Sequence, residues 1–253
     1  MADSRSLSIS PQYIGPPDLG NGGYVVGLLA EALVGGDPVG RGAFEVTLRG
    51  PLPISKPLSL LAGDNDQIEL ADGDTLLATA RKNELDLIVP EPGAVEDVIR
   101  GQAGSLSLKV GDHPTLGERL GVHPICFCCG AEREEGDGLR VFPVAVGEGG
   151  AVTAVWTPHA AFAREDGTVG AEVIAAAIDC PGAFAFLEEG KRAGLLGRMT
   201  VEFLKPLQAG QRTRIVGWQI GEDGRKMIAG TALFDGEGDV VAKSLQVWFG
   251  YPG

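Results

Sequence analysis

Residues 22–33, GGYVVGLLAEAL, and residues 170–181, GAEVIAAAIDCP, look like one apolar helix written twice. An offset of 148 residues aligns apolar positions with apolar positions and sets Glu31 against Asp179, so each copy carries a carboxylate nine residues after its start. The first copy is apolar around most of its circumference, which predicts a buried helix rather than one lying half on the surface.

A second match between the two halves follows each helix. At an offset of 155 residues, Val46 aligns with Val201 and Pro51 aligns with Pro206. The larger offset means that the second copy carries extra loop residues, which a surface connection tolerates at little free-energy cost. A duplicated helix-then-strands unit predicts two related domains packed against each other as a pseudo-dimer within one chain.

The repeat sets the domain boundaries. We predict an N-terminal unit over residues 1–98, a linker over residues 99–122 and a C-terminal unit over residues 123–253. In each unit a short strand region precedes the helix, and strands separated by Gly/Asp turns follow it. An antiparallel sheet wrapped around one apolar helix is the natural way to bury that helix. The predicted fold class is therefore α+β, with two such units in tandem, one continuous sheet and both helices inside it.

Composition and charge exclude several classes of function. The formal net charge is −13, and no block of five or more Lys or Arg residues occurs, so binding to nucleic acid through concentrated positive charge is not expected. No apolar run approaches the roughly 18–20 residues of a membrane span. The first ten residues, MADSRSLSIS, lack the pattern of a signal peptide, which favours a cytoplasmic protein.

The layout and a few motifs resemble the hotdog fold, specifically the tandem, or double hotdog, acyl-CoA thioesterases of the thioesterase II type. In the first half the resemblance rests on the Gly-Gly-x-Val-Val-Gly start of the helix over residues 22–27. In the second half it rests on Asp179 in the helix and on Gln246 in the last strand. The family's catalytic groups are an Asp, a Gln and a hydroxyl residue of the second hotdog. The resemblance therefore implies Asp179 and Gln246 as catalytic residues, and with Leu196 at the expected Thr position it leaves Thr200 as a substitute.

The segment that opens the second unit carries a separate resemblance. His123-x-x-Cys126-Phe-Cys128-Cys129-Gly, followed by Gly-Leu-Arg, is similar to the entry of single-domain hotdog proteins of the phenylacetate-thioesterase-like group. The spacing H-x-x-C-x-C-C does not match the paired CxxC or Cys/His patterns of zinc sites, and no second ligand pair is evident. We therefore expect a turn of free thiols and no metal or other cofactor.

Asp179 is the strongest candidate for chemistry. It lies in AAAIDCPG, where burial is expected to raise its pKa and to suit it to general-base activation of water. The alternative is structural, because Pro181 follows closely and Asp179 could merely organise a kink in the helix. The amide of Gln246 offers a donor and an acceptor that could hold a water against the carboxylate, although a solvated sheet face would explain that residue equally well.

Glu31, the repeat partner of Asp179, is the rival acid. The first-half counterpart of Gln246, at an offset near 164, is Lys82, and a pair between Glu31 and Lys82 would neutralise the duplicated site. The N–H groups at a helix start can polarise a thioester carbonyl. This property makes the residues at the two helix starts candidates for substrate binding, with helix capping as the alternative: Asn21, Gly22, Gly23 and Gly170.

Two functions from different classes follow. The first is hydrolysis of an acyl-CoA or a related acyl thioester by carboxylate-activated water. The second is a catalytically silent hotdog protein that binds acyl thioesters or lipids, which the absent Thr at Leu196 and the acidic net charge favour somewhat. Trp156, Trp218 and Trp248 are expected on the outer face of the sheet, where they could support a homodimer or larger assembly.

Overall fold

The computed structural model describes residues 5–112, 114–145, 150–188, 190–192 and 194–250. Its first half contains five strands and one long helix. The helix, α1, spans Gly22–Val34 and ends at Gly35, which adopts the left-handed conformation that glycine tolerates without strain. The strands are β1 (Arg5–Ser8), β2 (Ala43–Leu48), β3 (Pro57–Ala62), β4 (Ile68–Asp72) and β5 (Thr75–Asn83).

The connection and the second half follow the same plan with two additions. Three short helices occupy the connection: α2 (Val95–Gly101), α3 (Leu106–Asp112) and α4 (Pro114–Leu120). The second central helix is divided into α5 (Ala171–Ala177) and α6 (Cys180–Leu187). The strands are β6 (Val144–Ala145), β7 (Val152–Trp156), β8 (Leu195–Phe203), β9 (Thr213–Asp223), β10 (Lys226–Phe234) and β11 (Val240–Phe249).

All of these strands form one antiparallel sheet in the order β1-β3-β4-β5-β2-β8-β11-β10-β9-β7-β6. The order of the first five strands is mirrored by β8-β11-β10-β9-β7, so the two halves meet where β2 pairs with β8. Within β2 and β8, Glu45 lies opposite Thr200. These two residues are 155 positions apart, and a residue paired with its own repeat partner marks the pseudo-twofold axis. The continuous sheet expected from the repeat is confirmed.

The two central helices pack against each other on the same face of this sheet, and the residues at their contact are related by the offset of 148. A Cβ atom at Gly23 would lie 2.5 Å from the carbonyl oxygen of Ala175, and one at Gly27 would lie 2.4 Å from that of Ala171. The pairs 23–175 and 27–171 exchange under an offset of 148. The helices therefore cross at glycines with their backbones in contact, and both are buried in the main hydrophobic core.

The expectation that all three tryptophans lie on the outer face of the sheet was wrong for two of them. Trp156 and Trp248 are buried in the core at 3% and 6% exposure, and only Trp218 packs in the small cluster outside it. The described part of β6 is two residues long. The long β5 and β11 strands lie inside the sheet, and the short β1 and β6 lie at its edges, which limits edge-to-edge pairing.

Among the described residues, no helix is both long enough and apolar enough to cross a membrane.

Candidate active site

The second central helix breaks at Asp179. α5 ends at Ala177, and α6 begins at Cys180 with Pro181 in its first turn. Pro181 has no N–H to donate to the carbonyl of Ala177 four residues before it, so the helical hydrogen bonding is interrupted at this point. The side-chain nitrogen Nε2 of Gln246 donates a hydrogen bond of 2.7 Å to the carbonyl oxygen of Ile178 and so satisfies an acceptor at the break.

The Asp179 side chain does not cap α6, which argues against a purely local role in the kink. Its Oδ2 atom instead accepts hydrogen bonds of 3.0 Å from the side-chain Nδ2 of Asn21 and from the backbone N–H of Gly23, at the start of α1. The other oxygen, Oδ1, is buried and has no hydrogen-bond partner among the described residues. Burial raises the pKa of Asp179 to about 7, and the hydrogen bonds from Gly23 and Asn21 offset part of that rise.

The start of α1 is arranged around this carboxylate. The Oδ1 atom of Asn21 accepts from the N–H of Tyr24 at 2.9 Å, so the amide side chain caps the helix and also binds Asp179. A Cβ atom at position 23 would lie 2.7 Å from the Cβ of Asp179, so glycine is needed for this approach. The N–H groups of Gly23 and Tyr24 donate to side chains. Among the described residues, the N–H of Gly22 is the donor of this first turn that has no acceptor.

Asn21, Gly22 and Asp179 line a cavity of about 100 Å³. Its walls come from both halves of the chain: the start of α1, the end of β2, residues 121–129, α6 and the start of β8. Most of the lining side chains are apolar, and they include Leu48, Leu52, Phe184, Leu187, Leu196 and Trp248. The position at which the family resemblance leads one to expect Thr is therefore at the cavity, but it carries Leu196.

Thr200 is not part of this site, contrary to our expectation. Arg198 and Glu202, two residues on either side, form ion pairs on the outer face of the sheet, whereas Met199 and Val201 lie in the core. Side chains alternate between the two faces of a strand, so Thr200 points away from the helices. The charged-apolar alternation from Arg198 to Phe203 carried this signal in the sequence.

Gln246 lies on the inner face of β11 and is fully buried. Besides Ile178, its Nε2 atom is 3.1 Å from the hydroxyl oxygens of both Thr231 and Ser244, and its Oε1 accepts from the indole N–H of Trp248 at 2.8 Å. Its two amide hydrogens are therefore committed to protein acceptors, and Gln246 is not among the residues that line the cavity. The Gln246 side chain therefore fixes the helix break at Ile178, the residue before Asp179, and has no amide hydrogen left to hold a water.

Glu31 occupies the equivalent position at the other helix start. Its Oε1 accepts from the N–H of Ala171 at 3.3 Å, as Asp179 accepts from Gly23, and Gly170 caps that helix away from the cavity. Arg164 pairs with Glu31 and also with Glu172, at 3.2 Å. Burial and the nearby Glu172 raise the pKa of Glu31 to about 7, although Arg164 opposes the rise.

The expected pair between Glu31 and Lys82 was wrong, because Arg164 takes that place. The repeat alignment behind the expectation was sound: Lys82 lies opposite Phe44 in the sheet as Gln246 lies opposite Met199, and Phe44 and Met199 are 155 residues apart. Lys82 is exposed at the end of its strand, too near solvent to replace a buried amide.

All four cysteines are free and buried, and three of them meet beside Asp179. The Sγ atoms of Cys126, Cys129 and Cys180 lie within 4.8 Å of one another, and those of Cys126 and Cys180 are 3.7 Å apart. Hydrogen bonds from the thiols of Cys129 and Cys180 lower the pKa of Cys126. Cys128 lies next to this group, and its Sγ donates to the carbonyl oxygen of Ala177 at 3.7 Å. No spacing pattern in the sequence indicated that Cys180 lies with the other two cysteines.

No protein-family profile matches the chain, and no curated protein matches it significantly in sequence. Solved structures do share its architecture. The tesB protein of Mycobacterium avium subspecies paratuberculosis is 13% identical, with a TM-score of 0.65 over 98% of this chain and 93% of the other. A protein of Novosphingobium aromaticivorans described provisionally as a thioesterase is 12% identical, with a TM-score of 0.64 over 98% of this chain and 96% of the other.

A conserved protein of unknown function with a hot dog fold from Alicyclobacillus acidocaldarius is 12% identical, with a TM-score of 0.62 over 99% of this chain and 94% of the other. These structures match nearly the whole length of the chain. The fold is therefore a double hotdog, as the resemblance in sequence implied.

Proposed function

We propose that this protein hydrolyses an acyl thioester, with an acyl-CoA as the substrate and Asp179 as the residue that activates water. The observation that carries the proposal is the Asp179 carboxylate, which lines an apolar cavity. One of its oxygens is anchored, and the other has no partner in the part of the chain that the structure describes. A carboxylate is costly to bury, and an unsatisfied oxygen on it is more costly still, so its position calls for a function.

The surroundings supply the other elements of the reaction. Gly22 lines the cavity at the positive end of α1, and its N–H is the group we propose to donate a hydrogen bond to the thioester carbonyl and to the oxyanion that forms there. A water hydrogen-bonded to Oδ1 of Asp179 attacks the carbonyl carbon and gives its proton to that oxygen. The carbon–sulfur bond then breaks, and the leaving thiolate takes that proton back from Asp179 and departs as a thiol, which regenerates the carboxylate. The apolar walls suit the acyl group.

A second function, binding of an acyl thioester without hydrolysis, has one specific observation in its favour. The polar groups that the family resemblance adds to Asp179 are not assembled at the cavity: Thr200 faces the outer side of the sheet, and the amide donors of Gln246 are occupied. In this alternative Asp179 serves only to hold α1 against α6.

The test compares three forms of the full chain: wild type, Asp179→Asn and Glu31→Gln. Each is incubated with short-chain, medium-chain, long-chain and aryl-CoA substrates, and released CoA is separated chromatographically and quantified. Glu31→Gln is the matched control, since it neutralises the equivalent carboxylate at the other helix start. We expect Asp179→Asn to lower kcat by about 10²–10⁴-fold, the range of general-base catalysis, with KM little changed. Glu31→Gln should remain within a few-fold of wild type.

Each other outcome is decisive. Loss of hydrolysis in Glu31→Gln with retention in Asp179→Asn would make Glu31 the base. Saturable acyl-CoA binding by the wild type with no CoA release over the whole panel would establish the binding function instead. Wild-type rates in both variants would remove carboxylate-activated water from the mechanism.

A further inference from the structure

The fold brings together three thiols, two of which precede the third by more than 50 residues in the sequence. Cys126 and Cys129 belong to one tight turn, and Cys180 opens α6. All three are buried, and all three line the same cavity as Asp179. A cluster of three buried thiols is not required by the proposed hydrolysis, in which none of them takes part.

The distances within this cluster suit a metal ion. Zinc binds thiolate sulfur at about 2.3 Å in tetrahedral geometry, which places two ligand sulfurs about 3.8 Å apart. The Sγ atoms of Cys126 and Cys180 are 3.7 Å apart, and the whole group lies within 4.8 Å. Small movements of the Cys129 side chain would therefore bring all three sulfurs into contact with one ion. Soft thiolate ligands favour zinc over hard cations such as magnesium and calcium.

The three ligands stand on backbone that is already fixed. The turn is closed by hydrogen bonds from Cys126 N to the His123 carbonyl at 3.0 Å and from Gly130 N to the Cys126 carbonyl at 2.8 Å. Leu139 N donates to the carbonyl of Phe127 inside the turn at 2.8 Å. Cys180 is held at the helix break that Gln246 supports. Such a preformed site loses little conformational entropy on binding an ion.

A second, independent feature points to a ligand at the same place. Oδ1 of Asp179 is buried, has no hydrogen-bond partner among the described residues, and belongs to the residue before Cys180. A metal ion held by three sulfurs keeps a fourth position, and the three cysteines line the same cavity as Asp179. A water in that position would donate a hydrogen bond to Oδ1 and so satisfy this oxygen.

We propose that Cys126, Cys129 and Cys180 bind one zinc ion whose fourth ligand is a water directed towards Asp179. The ion ties the turn over residues 123–130 to the break in the second central helix. This inference goes beyond the proposed hydrolysis, and it is tested without any substrate, so the failure of one does not imply the failure of the other.

The experiment measures metal content in the full chain, freed of any affinity tag, after expression with added zinc and purification without chelators. Elemental analysis should find about one zinc per chain. Cys126→Ser, Cys129→Ser and Cys180→Ser should each lose it, whereas Cys128→Ser should retain it. Cys128 is the matched control, because it is a buried thiol of the same turn whose hydrogen bond goes to the Ala177 carbonyl.

Cobalt provides a second measurement that does not depend on the ligand variants folding. Cobalt bound to the wild type in place of zinc should show the near-ultraviolet absorption of thiolate-to-metal charge transfer, and Cys128→Ser should show it as well. A wild-type chain that retains no zinc and forms no such band would overturn the proposal. So would zinc retained by a folded Cys180→Ser, a different metal at one per chain, or a disulfide between Cys126 and Cys180 in the protein as purified.

Discussion

The contact between the two central helices makes a sharp prediction at Gly27. A Cβ atom there would lie 2.3 Å from the Cα of Glu172 and 2.4 Å from the carbonyl oxygen of Ala171. Both atoms are backbone, so no flexible side chain can move aside, and α5 must shift by about 1.5 Å to restore ordinary contact distances near 3.8 Å. Overpacking of this kind costs typically 1–3 kcal/mol, and contact with backbone favours the upper end of that range.

Gly27→Ala also carries a gain, because alanine is better than glycine inside a helix by about 1 kcal/mol. The net loss of stability is then about 1–2 kcal/mol. For a chain of this size, a loss of 1 kcal/mol lowers Tm by roughly 2–4 °C, so we expect a decrease of about 2–8 °C. The variant and wild type are compared by thermal unfolding followed by circular dichroism and by urea denaturation.

The control is Gly36→Ala. Nothing lies within 4 Å of a Cβ atom at Gly36, and its backbone is not in the left-handed region, so the change should shift stability by no more than about 0.5–1 kcal/mol. If Gly27→Ala raised Tm, helix propensity alone would govern this position. The close crossing of α1 and α5, and with it the pseudo-twofold packing of the two halves, would then be refuted.

Three further predictions concern the site and its counterpart. Gln246→Leu should lower the free energy of unfolding by about 2–4 kcal/mol in urea, because it leaves the Ile178 carbonyl without its buried donor; a loss below 0.5 kcal/mol would contradict this role. Thr200→Val should keep kcat/KM within about threefold of wild type, since Thr200 faces away from the cavity. A hundredfold loss would mean that Thr200 takes part in the reaction. The third prediction compares wild type with Glu31→Gln at pH 5 and pH 8. The pKa of Glu31 is raised from 4.5 to about 7 in the folded state, so the folded state binds more protons than the unfolded one between these values, and wild-type stability falls as pH rises through them. Relative to Glu31→Gln, the wild type should lose up to about 3 kcal/mol, and a relative gain would mean that the ion pair with Arg164 outweighs burial.

The repeat allowed most of the architecture to be predicted. Two offsets, 148 and 155, predicted two related units with one continuous sheet and both helices inside it, and a twofold arrangement brings equivalent residues together at its axis. The structure bears this out where Glu45 lies opposite Thr200. The apolar setting of Asp179 likewise predicted burial and a raised pKa.

Contacts between distant residues could not be predicted in this way. Cys180 meets Cys126 across 54 residues, and Arg164 reaches Glu31 across 133. Neither meeting leaves a periodic trace in the sequence, since each depends on how a loop folds back over a helix. The misplacement of Thr200 was different. Leu196 and Thr200 are four residues apart and would share a face of a regular strand. The pairing of β8 with β11 shifts by one residue between Leu196 and Arg198, so the alternation changes phase there and Thr200 faces the other side.

The two helix starts accommodate their carboxylates differently, and this difference supports the proposal that Asp179 is the reactive one. Both place a carboxylate from one helix against a backbone N–H at the start of the other: Asp179 against Gly23, and Glu31 against Ala171. At the second end Arg164 pairs with the carboxylate, so the protein supplies a counter-ion as well as the N–H of Ala171. At the first end the anchoring groups, Asn21 and Gly23, are neutral and bind one oxygen of the carboxylate. The other oxygen is buried and has no hydrogen-bond partner within the described ranges of the chain. An unsatisfied carboxylate costs stability, whereas its counterpart demonstrates that the same fold can satisfy one. The difference is what a functional site at Asp179 requires, and it is why Glu31→Gln is the informative control for every experiment on that residue.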